Sequence, residues 1–497
     1  MHLLDNKLIQ KLSILGLIAV ISFFMYYRLG SVMFNADAHF WYQRTFGFMN
    51  AIQKGDWADT NQNPKPGVTV MWMSGITIES FLTLYEKIYH FRPQLYTFDT
   101  FKYINFVAEF PLATLALIFL ITFYLFTKKL LGKPTAFFSL ILLGFQPFFI
   151  GVSRYFHGDG TLIVFMNLSA ITLLLYLCLN RKTIFLILSG IFGGLAFLAK
   201  TQAIFLIPFT LLCLFIDNLL TNKKIILQKL IPHLLIWFAF FSLTIFIIYP
   251  AMWVKPIQTI QNMLSEGMLV ADVGKNGGTG SVSIYFKAIP KISTFLIYLA
   301  FPLGIFAVFA KWRKTNFNTN KVFLYIFSFV FFYFLQMCLV FQKSERYLLP
   351  LFPFVALFGG YGLNYILENA KIAKYKTTLT LGLFVLSFAI MLYNTPHYTA
   401  LAEASPWGAV YVDAAEYLNQ KPNAVDLKVV ASPKEHTFRP FFKGTTYGKG
   451  ETLPNNTSPD YLVVAGKEYI PEKYNYCIFE HDVVFRSKVY WKIYSCK

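Results

Sequence analysis

Long apolar segments alternate with short polar ones over most of the chain. Eleven of these segments are long enough to cross about 30 Å of hydrocarbon as helices. They cover residues 8–28, 103–127, 134–152, 159–179, 183–199, 202–220, 231–251, 292–310, 322–341, 347–367 and 375–393. The first segment lacks a small-residue cleavage site, so we expect it to be retained as an anchor. The fifth and sixth segments are nearly adjacent in the sequence. They form either two separate spans or one re-entrant pair.

Two polar intervals are too long to be simple connectors. Residues 29–102 contain the stretches "HFWYQRTFGFMNAIQKGDW" and "VTVMWMSGITIESFLTLYEKIYHF", whose amphipathic patterns predict helices lying in the membrane interface. Residues 252–291 contain the glycine-rich run "DVGKNGGTGS" at 272–281. Because this run lacks the spacing of a nucleotide-binding loop, we expect a lid, with a disordered connector as the alternative.

The tail, residues 394–497, has the pattern of a small soluble domain of the α/β or α+β class. A helix is expected after Ser405, and strands are expected in "DLKVVAS", "DYLVVAG" and a terminal hairpin. Cys477 and Cys496 flank this hairpin. A disulfide between them and two free thiols are the two alternatives.

Composition and charge agree with this division and give the chain an orientation. The sequence is 56% hydrophobic and 14% charged, whereas soluble domains carry about 25% charged residues. If the N-terminus lies inside, every strongly basic short loop falls on the cytoplasmic side, as the positive-inside rule requires. Counting the second stretch of 29–102 as a span would break this rule. The net charge of +19 is thereby explained without a nucleic-acid partner.

Polar clusters occupy the outward ends of several spans. Each cluster alone has the ordinary explanation of interfacial decoration, but charged groups at membrane depth persist mainly where they line a cavity and find partners. The clusters contain Asp37 and His39, "NPKPGVTVMW" (63–72), "SRYFHGDG" (153–160), "AKTQA" (199–203) and "QKSERY" (342–347). Together they predict one mixed-charge pocket on the outer side.

Several cations beside one or two carboxylates match a phosphate held near a proton acceptor. A phosphate that leaves during a reaction needs charge stabilisation, which Lys and Arg supply. The residues therefore favour group transfer from a lipid phosphate to an acceptor outside the membrane. The alternatives are a lipid-linked glycan ligase or polymerase, a lipid or sugar transporter, and a membrane scaffold. A transporter would more often show internal repeats and polar groups near the midplane.

These segments resemble those of the GT-C superfamily of glycosyltransferases, in the branch of the protein O-mannosyltransferases and the lipid A aminoarabinose transferase. The resemblance rests on an acid opening the first outer loop, a Lys-Pro segment in "PKPG", and an Asp at the start of the fourth span. It also rests on "GLAFLAKTQAIFLIPF" (194–209) and "RYLLPLFP" (346–353). It covers residues 1–393, which would form the catalytic membrane domain, and leaves the tail as a variable element.

The resemblance implies an inverting glycosyltransferase in the inner (plasma) membrane, with its active site and tail on the extracytoplasmic side. The donor would be a polyprenyl-phosphate sugar, and the acceptor a lipid, a protein or a cell-wall glycan. By position, Asp37 matches the general base, and Asp159 the second acid, which places the acceptor or supports the first acid. The three cations that match donor-phosphate residues are Lys65, Lys200 and Arg346.

One departure from the family pattern concerns the histidines. His39 stands where relatives often have a second acid, so Asp37-x-His39 mirrors His157-x-Asp159. These four side chains offer oxygen and nitrogen ligands for a divalent cation. In the alternative, the histidines hydrogen-bond sugar hydroxyls or the carboxylates, and no cofactor is required.

Overall fold

The computed structural model describes most of the chain. The described residues are 7–31, 38–62, 66–95, 97–272, 281–340, 342–368, 372, 375–394, 409–432, 435–451, 453–454, 457–466, 468–485 and 487–496. Asp37, Lys65 and most of the glycine-rich run 272–281 lie outside them. The structural statements below concern the described residues.

Helices make up nearly all of the membrane part. Those before residue 200 are α1 (Lys7–Tyr26), α2 (Ala38–Lys54), α3 (Val68–Tyr89), α4 (Phe98–Leu131), α5 (Lys133–Gly144), α6 (Pro147–Arg154), α7 (Gly158–Leu175) and α8 (Thr183–Ala199). Those after it are α9 (Leu206–Asn222), α10 (Leu227–Ile248), α11 (Ala251–Val254), α12 (Pro256–Asp272), α13 (Ser283–Ile292), α14 (Phe295–Lys311), α15 (Phe317–Leu339), α16 (Phe352–Leu367) and α17 (Lys376–Asn394).

The predicted class of polytopic helical membrane protein is confirmed, but the count of eleven spans is not. Eight described helices are long and apolar enough to cross a membrane, and two bent helix pairs raise the number to ten. The difference arises because α8 and the stretch Lys11–Tyr26 of α1 are shorter than a full span, while α5–α6 and α13–α14 are bent. Helix α3, expected in the interface, is itself long and apolar enough to span.

Helix α7 forms the centre of the bundle. All 18 of its residues are buried, as expected for a helix that is apolar on every side. Beside it, α8 approaches α10 closely at Gly190 and Gly194, where a Cβ atom would lie 2.6 and 2.7 Å from backbone oxygens of α10. Small residues at such crossings let membrane helices pack backbone to backbone, and the glycines of "GIFGGLAF" (190–197) serve this purpose.

A buried ion cluster ties three helices together near the C-terminal end of α7. Asp217 of α9 accepts hydrogen bonds from Lys321 of α15 and from Arg181, which follows α7. Lys321 also donates to the carbonyl of Leu177 at 3.2 Å. Since both Asp217 and Lys321 are only 5% exposed, this pair fixes the mutual positions of α7, α9 and α15.

The tail folds as a mixed α/β domain. Helix α18 (Ala409–Asn419) and a short helix α19 (Glu435–Phe438) accompany a five-stranded sheet of order β2-β1-β3-β5-β4. Its strands are β1 (Lys428–Ser432), β2 (Thr445–Gly448), β3 (Tyr461–Ala465), β4 (Ile478–Phe485) and β5 (Lys488–Ser495). The pairs β2-β1 and β1-β3 are parallel, and β3-β5 and β5-β4 are antiparallel. Strand β2 is the one that the sequence pattern did not predict.

The tail packs on the membrane part at the N-terminal end of α4. Phe441 makes an edge-on ring contact with Phe101 at 5.5 Å, and the ammonium of Lys443 lies 5.8 Å from the ring centre of Phe98. Within the tail, a disulfide joins Cys477 to Cys496, which decides between the two alternatives for these cysteines.

Replacing Cys477 and Cys496 together by serine should lower the free energy of unfolding of the sheet. A crosslink between residues 19 positions apart contributes about 3 kcal/mol by restricting the unfolded chain. Hydrogen exchange of the β3 and β5 amides in the full-length protein measures the loss. Cys338→Ser, which removes a free thiol, is the control, and equal protection in the two variants would contradict the prediction.

Candidate functional site

The site is built around the buried carboxylate of Asp159 in the first turn of α7. Lys200 Nζ donates to its Oδ1 at 2.6 Å, and Arg346 Nε lies 3.4 Å from its Oδ2. The hydroxyl of Tyr155 also donates to Oδ2, at 3.2 Å. The structure thus brings together three of the predicted site residues, which are far apart in the sequence.

His157 caps the N-terminus of α7 and fixes the backbone that carries Asp159. Its Nδ1 accepts a hydrogen bond from the amide of Asp159 at 3.1 Å. Burial lowers the pKa of the imidazole below its usual value, which favours the neutral ring that this acceptor role requires. The approach of Nδ1 to the Asp159 carboxylate at 3.2 Å is therefore a contact within the cap and not an ion pair.

Lys200 and Arg346 are both positioned by breaks in helices. Lys200 is extended, with φ −162° and ψ 138°, between α8 and a 3₁₀ turn over Thr201–Phe205. Arg346 lies in the 3₁₀ segment Glu345–Leu351 that leads into α16. Asn167 of α7 donates to the carbonyl of Pro350 at 3.1 Å in that segment, so α7 itself holds the arginine in place.

The charged side chains at the site differ in how deeply they are buried. The side chain of Asp159 is 4% exposed, whereas those of Lys200 and Arg346 are 23% and 28% exposed. Two partly accessible cations therefore cover one buried carboxylate, and with a neutral His157 the cluster carries one net positive charge. Such a cluster can bind an anion through charge-assisted hydrogen bonds without losing its internal pairing.

Trp41 of α2 joins the first outer loop to this cluster. Its ring lies 5.2 Å from that of His157 in an edge-on contact, and it would clash with a side chain at Gly67, where a Cβ atom would lie 2.5 Å away. Gly67, whose φ of +130° favours glycine, donates its amide to the carbonyl of Leu198 at 2.7 Å. Described residues close in sequence to Asp37 and Lys65 therefore border the Asp159 cluster.

The start of the first outer loop is held by polar groups buried in α4. The amide of Gly30 donates to Glu109 Oε2 at 2.9 Å, and Asn105 donates to the carbonyl of Gly30 at 3.0 Å. Tyr42 of α2 donates to Asn105 at 2.6 Å. Sequence reasoning missed these residues, although an acid inside an apolar span was a signal that could have revealed Glu109.

His39 lies at the contact with the tail. Its ring centre is 3.7 Å from that of His436 in α19. Among the described residues, no group of three His, Cys, Asp or Glu side chains lies close enough to hold a metal ion. Because Asp37 is outside those residues, the cation site formed by Asp37, His39, His157 and Asp159 stays a prediction.

An apolar groove borders the segment that leads into α16. It has a volume of about 500 Å³ and lies between α13, α14, α15 and the segment that leads into α16. Its lining includes Ile297, Phe301, Phe334, Leu348, Leu351 and Phe352. Leu348 and Leu351 belong to the same 3₁₀ segment as Arg346, so this segment contributes both to the cation cluster and to the groove.

Comparison with known proteins shows which fold the chain adopts. The dolichyl-phosphate-mannose-protein mannosyltransferase family matches residues 98–249, a stretch that contains Asp159 and Lys200. The crystal structure of ArnT from Cupriavidus metallidurans bound to undecaprenyl phosphate has a TM-score of 0.55 at 14% identity, over 97% of this chain and 98% of ArnT. The chain has the GT-C fold. No curated protein sequence matches it.

A second GT-C structure is similar over a smaller share of its own length. The oligosaccharyltransferase AglB from Archaeoglobus fulgidus, in complex with an inhibitory peptide and a dolichol-phosphate, has a TM-score of 0.51 at 11% identity. The match covers 92% of this chain and 70% of AglB. The resemblance to GT-C glycosyltransferases predicted from the sequence is therefore confirmed.

Gly158→Ala should destabilise the protein at this site. A Cβ atom there would lie 2.9 Å from the carbonyl oxygen of Ala199, and overpacking of this kind costs about 1–3 kcal/mol. The midpoint of thermal unfolding in detergent measures the effect. Gly382→Ala in α17 is the control, because nothing lies within 4 Å of its Cβ position; equal midpoints for the two variants would contradict the close approach.

Proposed function

We propose that the protein is a membrane glycosyltransferase that moves a sugar from a polyprenyl-phosphate donor to an acceptor on the extracytoplasmic side, with inversion at the anomeric carbon. The proposal rests on one observation: the partly exposed side chains of Lys200 and Arg346 lie against the buried carboxylate of Asp159. The GT-C fold and the matched family support transfer from a lipid-linked donor.

The donor phosphate would bind to the exposed faces of Lys200 and Arg346, with Lys65 as a further cation. When the sugar–phosphate bond breaks, negative charge grows on the departing phosphate, and fixed cations stabilise that charge. ArnT has been crystallised with undecaprenyl phosphate, and the AglB structure is of a complex with a dolichol-phosphate. Both molecules join a phosphate to a long isoprenoid chain.

The apolar groove would hold part of that isoprenoid chain. Its walls are almost wholly hydrophobic, and Leu348 in its lining belongs to the same 3₁₀ segment as Arg346. A ligand with an anionic head and an apolar tail fits a cationic cluster and an apolar groove that share one segment of the chain. A soluble nucleotide sugar would leave the groove empty.

In the proposed reaction the acceptor's hydroxyl or amine attacks the anomeric carbon from the side opposite the phosphate. A new bond forms to that carbon, the bond from the carbon to the phosphate oxygen breaks, and polyprenyl phosphate leaves with the electron pair. The acceptor's proton passes to the carboxylate of Asp37, the general base. Asp159 is less suited to take this proton, because two cations stabilise its charged form; its part is to position Lys200 and Arg346.

The tail and the loops support the extracytoplasmic location. The tail packs at the N-terminal end of α4 and on His39 of α2, the helix whose Trp41 contacts His157, and it contains a disulfide. Structural disulfides persist in oxidising compartments outside the cytoplasm. The strongly basic short loops lie at the opposite ends of the helices, as expected for the cytoplasmic side.

Asp37→Asn should abolish most transfer while leaving donor binding intact. The change removes the base but keeps the size of the side chain, and loss of general-base catalysis lowers the rate by about 10²–10⁴-fold. A mass-spectrometric assay with candidate polyprenyl-phosphate sugars measures turnover, and binding of undecaprenyl phosphate is measured in parallel. Asp56→Asn, at an exposed acid of the same loop, is the control. Near-normal turnover by Asp37→Asn would remove Asp37 from this role.

Lys200→Gln should weaken binding of undecaprenyl phosphate by about tenfold to a hundredfold, because it removes a charge-assisted hydrogen bond to the phosphate. Isothermal titration in detergent measures the affinity. Arg181→Gln is the matched control, since Arg181 is also a cation paired with a buried acid but lies at the other end of α7. Equal affinities for the two variants would argue against the phosphate assignment.

A further inference from the structure

A second cavity lies at the end of the bundle away from Asp159. It has a volume of about 110 Å³ and lies between α1, α4, α5 and α17. Tyr124 in its lining follows Glu109 on α4 by about 22 Å of helix. The cavity is therefore separate from the site described above, and on the proposed orientation it opens at the cytoplasmic face.

We propose that this cavity binds an anionic phospholipid of the cytoplasmic leaflet, with the lipid phosphate between Lys133 and Lys376. Both ammonium-bearing side chains belong to the lining, and Lys133 is exposed while Lys376 is half-buried. Among the described residues neither lysine is engaged in an ion pair. The inference rests on the proposed orientation of the chain but not on the proposed glycosyl transfer.

The positions of the two lysines favour the binding of an anion. Lys133 is the first residue of α5 and Lys376 the first residue of α17. A cation at the N-terminus of a helix is unfavourable, because the helix dipole is positive there. Two such cations at one cavity also repel each other, and a phosphate between them relieves both effects.

The remaining lining favours a lipid over a soluble anion. Ile14, Pro134, Phe137 and Phe138 form an apolar wall beside the lysines. An acyl chain can lie against this wall while the headgroup stays at the level of the lysines, which is where headgroups of the cytoplasmic leaflet meet basic residues. A free phosphate would make no use of the wall.

Helix α17 is only slightly buried against the rest of the protein, so a bound lipid would add to its contacts. Only 11% of its apolar window is buried against the rest of the protein, so its own packing holds it weakly. A lipid between α17 and α5 would add contacts to both helices. Binding is therefore expected to stabilise the protein as well as to occupy the cavity.

The test uses the delipidated full-length protein in detergent, with phosphatidylglycerol, phosphatidylcholine and inorganic phosphate as separate probes. Native mass spectrometry measures lipid adducts, and thermal unfolding measures stabilisation. Wild type should bind phosphatidylglycerol in preference to phosphatidylcholine. The double variant Lys133→Gln/Lys376→Gln should bind it about 25-fold more weakly, at about fivefold per lysine.

Two further variants make the result specific. Lys224→Gln/Lys314→Gln removes two exposed lysines from other loops and should bind like wild type. Lys133→Arg/Lys376→Arg keeps both charges and should retain the lipid, which guards against a folding defect in the glutamine variant. Affinity of the glutamine variant within twofold of wild type would overturn the proposal. Equal binding of phosphatidylcholine, or equal stabilisation by inorganic phosphate, would overturn it too.

Discussion

The structure depends on one buried charge, the carboxylate of Asp159 at the start of the most enclosed helix. A carboxylate so placed needs partners, because removing a partner from a buried ion pair costs about 3–5 kcal/mol. The partners come from the end of α8 and from the segment before α16. Meeting this requirement draws three distant parts of the chain together and leaves two cations partly open at the surface.

The first outer loop is fitted to that cluster by steric constraints as well as by charge. Trp41 fills the space between Gly67 and His157, and Gly67 is bonded to the carbonyl of Leu198. At the other end of the loop, Glu109 and Asn105 hold the backbone of Gly30. Residues on both sides of the predicted base are thus fixed to the bundle that carries the cations.

The two ends of α7 show how similar charges serve different purposes. Near its C-terminal end, Lys321 is as buried as Asp217 and joins three helices. At its N-terminal end, the cations over Asp159 remain partly accessible. The pair of Lys321 and Asp217 therefore only holds helices together. The cations over Asp159 keep an accessible surface to which an anionic ligand can bind.

The sequence by itself determined the elements, because hydropathy over a span and alternation over a strand are local properties. All eleven apolar segments contain helices, and four of the five strands were predicted. It also singled out His157, Asp159, Lys200 and Arg346, since polar clusters recur at the outward ends of several spans. Only the tertiary structure decided which of these groups meet, because their contacts join residues remote in sequence. In the tertiary structure His39 contacts His436 of the tail, and Asp159 pairs with Lys200 and Arg346. No local sequence pattern predicts either contact.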